Sequence, residues 1–128
     1  MSERAIDGGL VGLALGRLGL GAAALVSPAR SARLFGFERA VGPELSYMAR
    51  IFGIRAITLG CGYLGSDGDA RRRWQRLAFM CDISDTVTGI GHLRRADLPG
   101  STAVMLTGMT GAYAAIGTAR IALDATRG

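Results

Sequence analysis

The sequence predicts an all-α protein, an antiparallel up-and-down four-helix transmembrane bundle. Four apolar stretches of about 20 residues recur along the chain, and this is the length that an α-helix needs to cross a hydrocarbon core of roughly 30 Å. The connections between these stretches are short, so neighbouring helices should run in opposite directions. Each of the first three stretches has an ionisable residue near its middle, namely Arg17, Arg55 and the pair Asp82 and Asp85, which places these residues at one depth.

The length of 128 residues fits a single domain, with helices expected at residues 8–26, 44–65, 72–93 and 102–123. The net charge of +5 comes from arginines dispersed along apolar segments and their ends. No basic helix with interleaved aromatic residues is present, which argues against nucleic-acid binding. Cys61 and Cys81 lie in apolar segments at no metal-ligand spacing, so we expect two small packed thiols and no metal site.

The first helix, residues 8–26, has Arg17 at its centre and is followed by Ser27 and Pro28. Its length, its central arginine and the apolar segments that follow favour a retained helix over a signal peptide, and Pro28 should help to end it. Gly8, Gly12 and Gly16 recur every four residues, a spacing that lets two helix backbones approach closely in lipid. A glycine-rich soluble bundle is the alternative.

The first connection, residues 29–43, combines arginines with a hydrophobic triplet (Arg30, Arg33 and Arg39; Leu34, Phe35 and Phe37). This composition fits a segment at the membrane surface, and an ordinary surface loop is equally compatible with it. The second helix then places Arg55 at its centre, with Arg50 about 7.5 Å away along the axis.

The third helix carries Asp82 and Asp85 near its middle, on a polar stripe that continues to Gly89 and His92. The turn before it, residues 66–73, contains Asp67-Gly68-Asp69, which should break the chain's helical run, and arginines suited to an interface. The fourth helix is rich in Gly, Ala and Thr and has Tyr113 near its middle. The two aspartates of the polar stripe need charged or hydrogen-bonding partners, and the other helices should supply them.

Opposite charges should meet at the midplane, where Arg17, Arg55 and the two aspartates coincide in depth. An unpaired charge there costs about 2.5 to 3.5 kcal/mol, and pairing lowers that cost. With Arg50 included, three arginines face two aspartates, so one positive charge is in excess. Either water reaches Arg50, or an anionic or carbonyl-bearing ligand completes the set. Arg50 and His92 both lie toward the first and third connections, so the polar track should open on that side.

The Arg/Asp set has a structural interpretation, in which it fixes how the helices pack, and a functional one. In the functional interpretation Asp85, Asp82, Arg55 and Arg17 are the candidate catalytic residues, because two carboxylates beside arginines can divide acid and base roles. Candidate substrate-binding residues are Arg50, Tyr47, His92 and Tyr113. Isomerisation, epoxide opening or cyclisation of a lipophilic molecule would fit. Asp82 lies on the closed side of the midplane and Asp85 on the open side.

Three motifs together resemble the small four-helix membrane proteins of the DoxX-like group and their uncharacterised-domain relatives. They are Arg17-Leu-Gly in the first helix, the run from Arg50 to Gly60 (RIFGIRAITLG) in the second, and paired acids in the third. The resemblance covers nearly the whole chain. It implies an up-and-down bundle in the bacterial inner membrane, and an association of some members with quinone-linked redox complexes.

Three functions therefore stay open. One is a cofactor-independent membrane enzyme or binding protein for a lipophilic or anionic small molecule. Another is a non-catalytic accessory subunit of a quinone-linked redox complex, and the third is a small carrier or channel. Membrane lipid is an expected partner in each case, together with a further copy of the chain or a redox partner. No haem, iron–sulfur or nucleotide motif indicates a cofactor, and the arginine distribution slightly favours cytoplasmic termini.

Overall fold

A computed structural model describes residues 2–37, 42–98 and 100–127. These residues form five α-helices and no strand: α1 Glu3–Val26, α2 Pro28–Leu34, α3 Pro43–Leu64, α4 Gly68–Arg95 and α5 Gly100–Arg127. The all-α prediction is confirmed. Arg39 of the predicted first connection lies outside the described residues.

The first connection contains a helix that the sequence analysis placed in a loop or surface segment. Pro28 is the first residue of α2, where a fixed φ and a missing N–H suit a helix start, so it both follows the end of α1 and begins a new helix. Pro28 and Ala32 are buried, whereas Leu34 is 76% exposed. At the second connection α4 already begins at Gly68, four residues before the predicted start at residue 72.

Glycine sets the packing of α1 against α3. A Cβ atom on Gly53 would lie 2.6 Å from the carbonyl oxygen of Gly21, and one on Gly60 would lie 2.9 Å from that of Ala14. The two backbones therefore touch, and the order of these contacts makes the helices antiparallel. The predicted Gly8, Gly12 and Gly16 ridge makes no backbone contact within the bundle, because a Cβ on Gly8 or Gly12 would meet nothing within 4 Å and one on Gly16 would meet only the Tyr113 hydroxyl.

The bundle consists of two hairpins. α1 packs most extensively on α3 and α4 on α5, whereas contacts between these pairs are fewer. We call α1 with α3 the first hairpin and α4 with α5 the second hairpin. The start of α1, the end of α3, the start of α4 and the end of α5 meet at one end, called the terminal end, where Arg127 contacts Glu3 and Arg71 contacts the carbonyl oxygen of Tyr63. The opposite end, which contains α2, is called the connection end.

The buried core is small and lies toward the terminal end. Ile6, Leu10, Ala14 and Tyr63 form its centre, with Trp74 among the side chains packed against it. Much of the remaining apolar surface faces outward instead. By length and apolar composition, α1 is the one helix among the described residues that qualifies as a candidate membrane span.

Candidate functional site

Arg17 and Asp82 form the most enclosed ion pair of the described residues. Nη2 of Arg17 lies 2.5 Å from Oδ2 of Asp82, and the side chains are only 12% and 4% exposed. The guanidinium carbon of Arg17 also lies 4.8 Å from the ring centroid of Tyr113, a cation–π contact from α5. Three helices, α1, α4 and α5, thus converge on this charge pair.

Arg55 and Asp85 form a second pair, which is far more open. Nη2 of Arg55 lies 2.6 Å from Oδ2 of Asp85, with side-chain exposures of 41% and 28%. On its own helix the guanidinium lies 5.6 Å from the ring centroid of Phe52. This pair faces outward between α3 and α4, so a molecule approaching the bundle from its side would reach it.

The two pairs are neighbours because their acids share α4. Asp82 and Asp85 are three residues apart, which separates them by about 4.5 Å along the helix axis. Both arginines come from the first hairpin and both aspartates from the second. The close backbone contact between α1 and α3 brings Arg17 and Arg55 to one side of the first hairpin, facing α4. The structure thus unites the four predicted catalytic residues into two adjacent pairs.

Arg50 does not belong to this site. It is exposed, and its Nε donates to the carbonyl oxygen of Leu25 at 3.5 Å, near the end of α1. Carbonyl groups at a helix C-terminus lack partners within their own helix and carry partial negative charge, so a guanidinium is favourable there. The predicted excess of positive charge is consequently wrong, since two arginines face two aspartates.

Tyr47 and His92 also lie away from the pairs. Tyr47 is 66% exposed, near the connection end. His92 contacts Asp97 in the turn after α4, with 2.6 Å between Nδ1 and Oδ1, and Arg95 contacts the other oxygen of the same carboxylate. The hydrogen bond from His92, and next that from Arg95, lowers the pKa of Asp97. Tyr113 is thus the one predicted substrate-binding residue that adjoins the pairs.

A cavity of about 20 Å³ lies among the four long helices, beside the Arg17–Asp82 pair. Arg17, Asp82 and Tyr113 line one part of it, and Gln75 and Tyr63 line another. It extends toward the terminal end, whereas the sequence analysis expected the polar track to open at the connection end. The reason is that Arg50 and His92 turn to local partners at the connection end, while Gln75 turns inward.

Gln75 is the residue of this region that sequence reasoning missed. It is 5% exposed, its Nε2 donates to the carbonyl oxygen of Gly117 at 3.5 Å, and its Oε1 has no partner among the described residues. The sequence does indicate its position, because Gln75 precedes Asp82 by seven residues and therefore lies on the same helix face. Thr86 extends that face, donating to the backbone oxygen of Asp82 and contacting the Thr110 hydroxyl.

A second missed cluster closes the terminal end. Arg120 of α5 contacts Asp7 at 2.7 Å and Asp124 at 2.9 Å, and both terminal nitrogens of Arg127 contact Glu3 at 2.6 Å. Hydrogen bonding to Arg127 lowers the pKa of the Glu3 carboxyl. These contacts tie α5 to α1 at their outer ends. They concern the assembly of the hairpins, because among the described residues no hydrogen bond or ion pair joins them to the central pairs.

The central site can therefore offer hydrogen-bond donors from guanidinium groups and a reachable carboxylate. Within the described ranges, no group of three or more His, Cys, Asp and Glu side chains has the arrangement of a metal site. No protein-family model, curated protein or solved structure matches the chain.

Proposed function

We propose that this chain is a multi-pass protein of the bacterial inner membrane, an antiparallel four-helix transmembrane bundle that binds a neutral lipophilic molecule through that molecule's oxygen-bearing head. The Arg55–Asp85 pair is the proposed binding site. The observation that carries the proposal is the exposure of this pair, 41% and 28% of the two side chains, on an exterior that is otherwise uncharged at the same depth. A charged pair at such a position needs a polar partner in hydrocarbon.

The exterior of the bundle supports the membrane placement. On α4, none of the exposed side chains between Leu77 and Leu93 is charged, and this interval corresponds to about 25 Å of helix. The same holds on α1 from Gly8 to Val26 and on α5 from Gly100 to Thr126. Large apolar side chains follow one another along the outer face of α4: Leu77, Met80, Ile83, Val87, Ile90 and Leu93. Charges inside and apolar groups outside are the arrangement expected of a protein in lipid.

Inward-facing acids help to explain why α4 does not qualify as a span by its composition. The buried Asp82 and the half-buried Asp85 lower the mean hydropathy of the stretch from Leu77 to Leu93, although neither is among its exposed residues. Hydropathy averaged over a whole helix counts inward-facing charges as if they faced lipid. The outward-facing residues are the ones that meet hydrocarbon, so they are the better guide here.

Unused hydrogen-bond donors define what the site would bind. A guanidinium has five N–H groups, and Arg55 has one hydrogen bond to another described residue, the one from Nη2 to Asp85. Unmade hydrogen bonds are costly in an apolar medium. A carbonyl, epoxide or hydroxyl oxygen in the ligand would accept from the remaining donors, while its hydrocarbon part stayed among the apolar side chains outside.

Charge balance favours a neutral head over an anionic one. Arg17 and Arg55 are matched by Asp82 and Asp85, and Arg50, which would have supplied the excess charge, is exposed near the end of α1. An anion would add a buried negative charge with no counterion. Ketones, quinones, epoxides and alcohols are the matching class. Because quinones belong to it, an accessory role beside a quinone-linked redox complex is the second candidate function, in keeping with the DoxX-like resemblance.

Proton transfer to or from the bound head would fall to Asp85. Its carboxylate is partly exposed beside Arg55, whereas Asp82 is enclosed with Arg17. Arg55 would polarise the ligand oxygen while Asp85 exchanged a proton with it, as isomerisation, epoxide opening or cyclisation requires. Asp82 would then hold α1 and α4 together. The cavity of about 20 Å³ beside Asp82 is too small for a lipophilic substrate and gives no support to a carrier or channel.

Binding can be tested with two probes that differ by one oxygen atom, limonene oxide and limonene. The protein in lipid nanodiscs is titrated with each while the Nε–Hε signals of the arginines are followed by NMR. We expect the oxide to shift the Arg55 signal and limonene to leave it unchanged. Since a hydrogen bond to a charged group contributes about 1.5 to 3 kcal/mol, an Arg55→Leu/Asp85→Leu variant should bind the oxide roughly 10- to 100-fold more weakly.

Arg50→Leu is the matched control, because it also removes an arginine of α3 but leaves both ion pairs in place. Equal shifts with limonene and limonene oxide, or equal losses of affinity in the control and in the double variant, would count against the proposed site.

A further inference from the structure

We propose that the central cavity is a buried water site, whose water donates a hydrogen bond to Oε1 of Gln75 and contacts the Arg17–Asp82 pair. The site is separate from the ligand site at Arg55–Asp85 and does not depend on it. Its volume of about 20 Å³ exceeds the roughly 10 to 15 Å³ that one water needs, and a larger molecule does not fit.

The lining of the cavity is polar where a water requires partners. The Oε1 atom of Gln75 is buried and accepts no hydrogen bond from the described residues, which leaves an amide carbonyl in need of a donor. No described residue supplies that donor, and a water would. Buried waters usually make about three hydrogen bonds to such groups, and a dry cavity is normally lined by apolar atoms alone.

Charged groups supply the remaining partners. Nη2 of Arg17 donates a hydrogen bond to Oδ2 of Asp82. The other N–H groups of Arg17 and the second carboxylate oxygen of Asp82 have no side-chain partner among the described residues. Tyr113 belongs to the same lining. A water here would lower the cost of burying the ion pair, because it adds hydrogen bonds to charged groups.

The proposal gives the two neighbouring carboxylates different surroundings. Asp85 faces the side of the bundle, where a lipophilic ligand would arrive. Asp82 faces an internal water, on the side of the cavity that extends toward Gln75 and Tyr63. Leu10 and Tyr63 of the apolar core cluster complete the lining on the side of the terminal end.

The side-chain amide of Gln75 can be observed by NMR without overlap from other primary amides. Gln75 is the only glutamine and the chain has no asparagine, so its side chain gives the single primary-amide NH₂ signal in a ¹⁵N NMR spectrum. In deuterated detergent micelles, a rotating-frame Overhauser experiment detects protons of water close to this NH₂ group. The sign of the cross-peak separates true proximity from proton exchange.

We expect a proximity cross-peak between water and the Gln75 amide in the wild-type protein. It should persist in the Tyr63→Phe/Tyr113→Phe variant, which removes hydroxyl protons that could relay magnetisation from solvent. It should disappear in Ala78→Leu, which adds carbon atoms to the cavity lining, and remain in Ala112→Leu, whose position on α5 is exposed.

Absence of the cross-peak in the wild type would overturn the proposal, and that measurement does not depend on whether a variant folds. Loss of the peak in the tyrosine variant, or its persistence in folded Ala78→Leu, would also overturn it, because the signal would then come from a hydroxyl or from elsewhere on the surface.

Discussion

Arg17 of α1 reaches across to Asp82 of α4, with 2.5 Å between Nη2 and Oδ2, and so joins the two hairpins at mid-depth. The central Arg55–Asp85 pair and the outer contacts of Arg120 and Arg127 join the hairpins in the same way. Apolar and glycine contacts dominate within each hairpin, where the helices pack most extensively. Ion pairs therefore position one hairpin relative to the other, which makes their removal a test of assembly.

Asp82→Asn should destabilise the protein strongly. It leaves Arg17 nearly enclosed without a counterion, and breaking a buried pair from one side typically costs about 3 to 5 kcal/mol. The double variant Arg17→Met/Asp82→Leu should recover most of this loss, because it removes both charges and keeps apolar volume. Unfolding by denaturant in mixed micelles measures both. If the double variant were no more stable than the single one, charge compensation would not explain the role of Asp82.

Asp85→Asn should cost less stability than the about 3 to 5 kcal/mol of Asp82→Asn, because the freed Arg55 lies at the side of the bundle and can turn toward the head groups, whereas Arg17 is enclosed. Its effect should instead appear in the binding of limonene oxide, through the altered position and charge of Arg55. Unfolding by denaturant tests the expected stability, and the nanodisc titration tests the expected effect on binding. A loss of stability as large as that of Asp82→Asn would show that both acids have one structural role, contrary to the difference in their exposure.

The positions of the central charges along their helices could be predicted from the sequence, and their pairing follows from these positions. Arg17, Arg55 and the aspartates lie at the centres of apolar segments, and a helix fixes the axial position of a residue once its ends are known. The lower exposure of Asp82 than of Asp85 agrees with the prediction, but the expected cause, a polar track that opens at the connection end, is wrong. Their roles in binding or catalysis stay predictions.

Rotation of each helix about its axis was much harder to predict. α1 carries glycine on several faces, so the spacing of Gly8, Gly12 and Gly16 predicts a contact as well as Gly21 does, and only packing against α3 decides between them. Arg50 was misplaced for a related reason. A long side chain can turn to a nearby helix end, and sequence depth does not reveal that the carbonyl oxygen of Leu25 is within its reach.

Gly53→Ala should disturb the first hairpin, whereas Gly12→Ala should not. The added methyl group at position 53 would meet the carbonyl oxygen of Gly21 at 2.6 Å and force the backbones apart, at a cost of about 1 to 3 kcal/mol. At position 12 nothing lies within 4 Å, so alanine should stabilise the helix by up to about 1 kcal/mol. The thermal unfolding temperatures of the two variants, each compared with that of the wild type, measure these effects. If Gly12→Ala destabilised the protein and Gly53→Ala did not, the contact with α3 would lie on the other face of α1.

Cys61 offers a test of the membrane placement. It is exposed on α3, about 6 Å before the helix end near Gly65, so water-soluble reagents should reach it if the bundle were surrounded by water. In lipid nanodiscs we expect Cys61 to resist a charged maleimide, because hydrocarbon covers it. Ala70→Cys in a background without native cysteines is the control, since position 70 is exposed at the terminal end. Comparable labelling of the two positions in nanodiscs would contradict the proposed location of α3.

Asp97 should titrate below the ordinary aspartate pKa of 3.8, chiefly because His92 and then Arg95 hydrogen-bond its carboxylate. The folded pKa is lowered, so the stabilisation is present above the unfolded pKa and is lost as the pH falls through the folded one. The ¹³C signal of the Asp97 carboxyl group measures the midpoint directly. His92→Leu should raise that midpoint more than Arg95→Leu does, because the hydrogen bond from His92 is the larger cause. A midpoint unchanged in both variants would mean that the turn after α4 does not hold these three side chains together in solution.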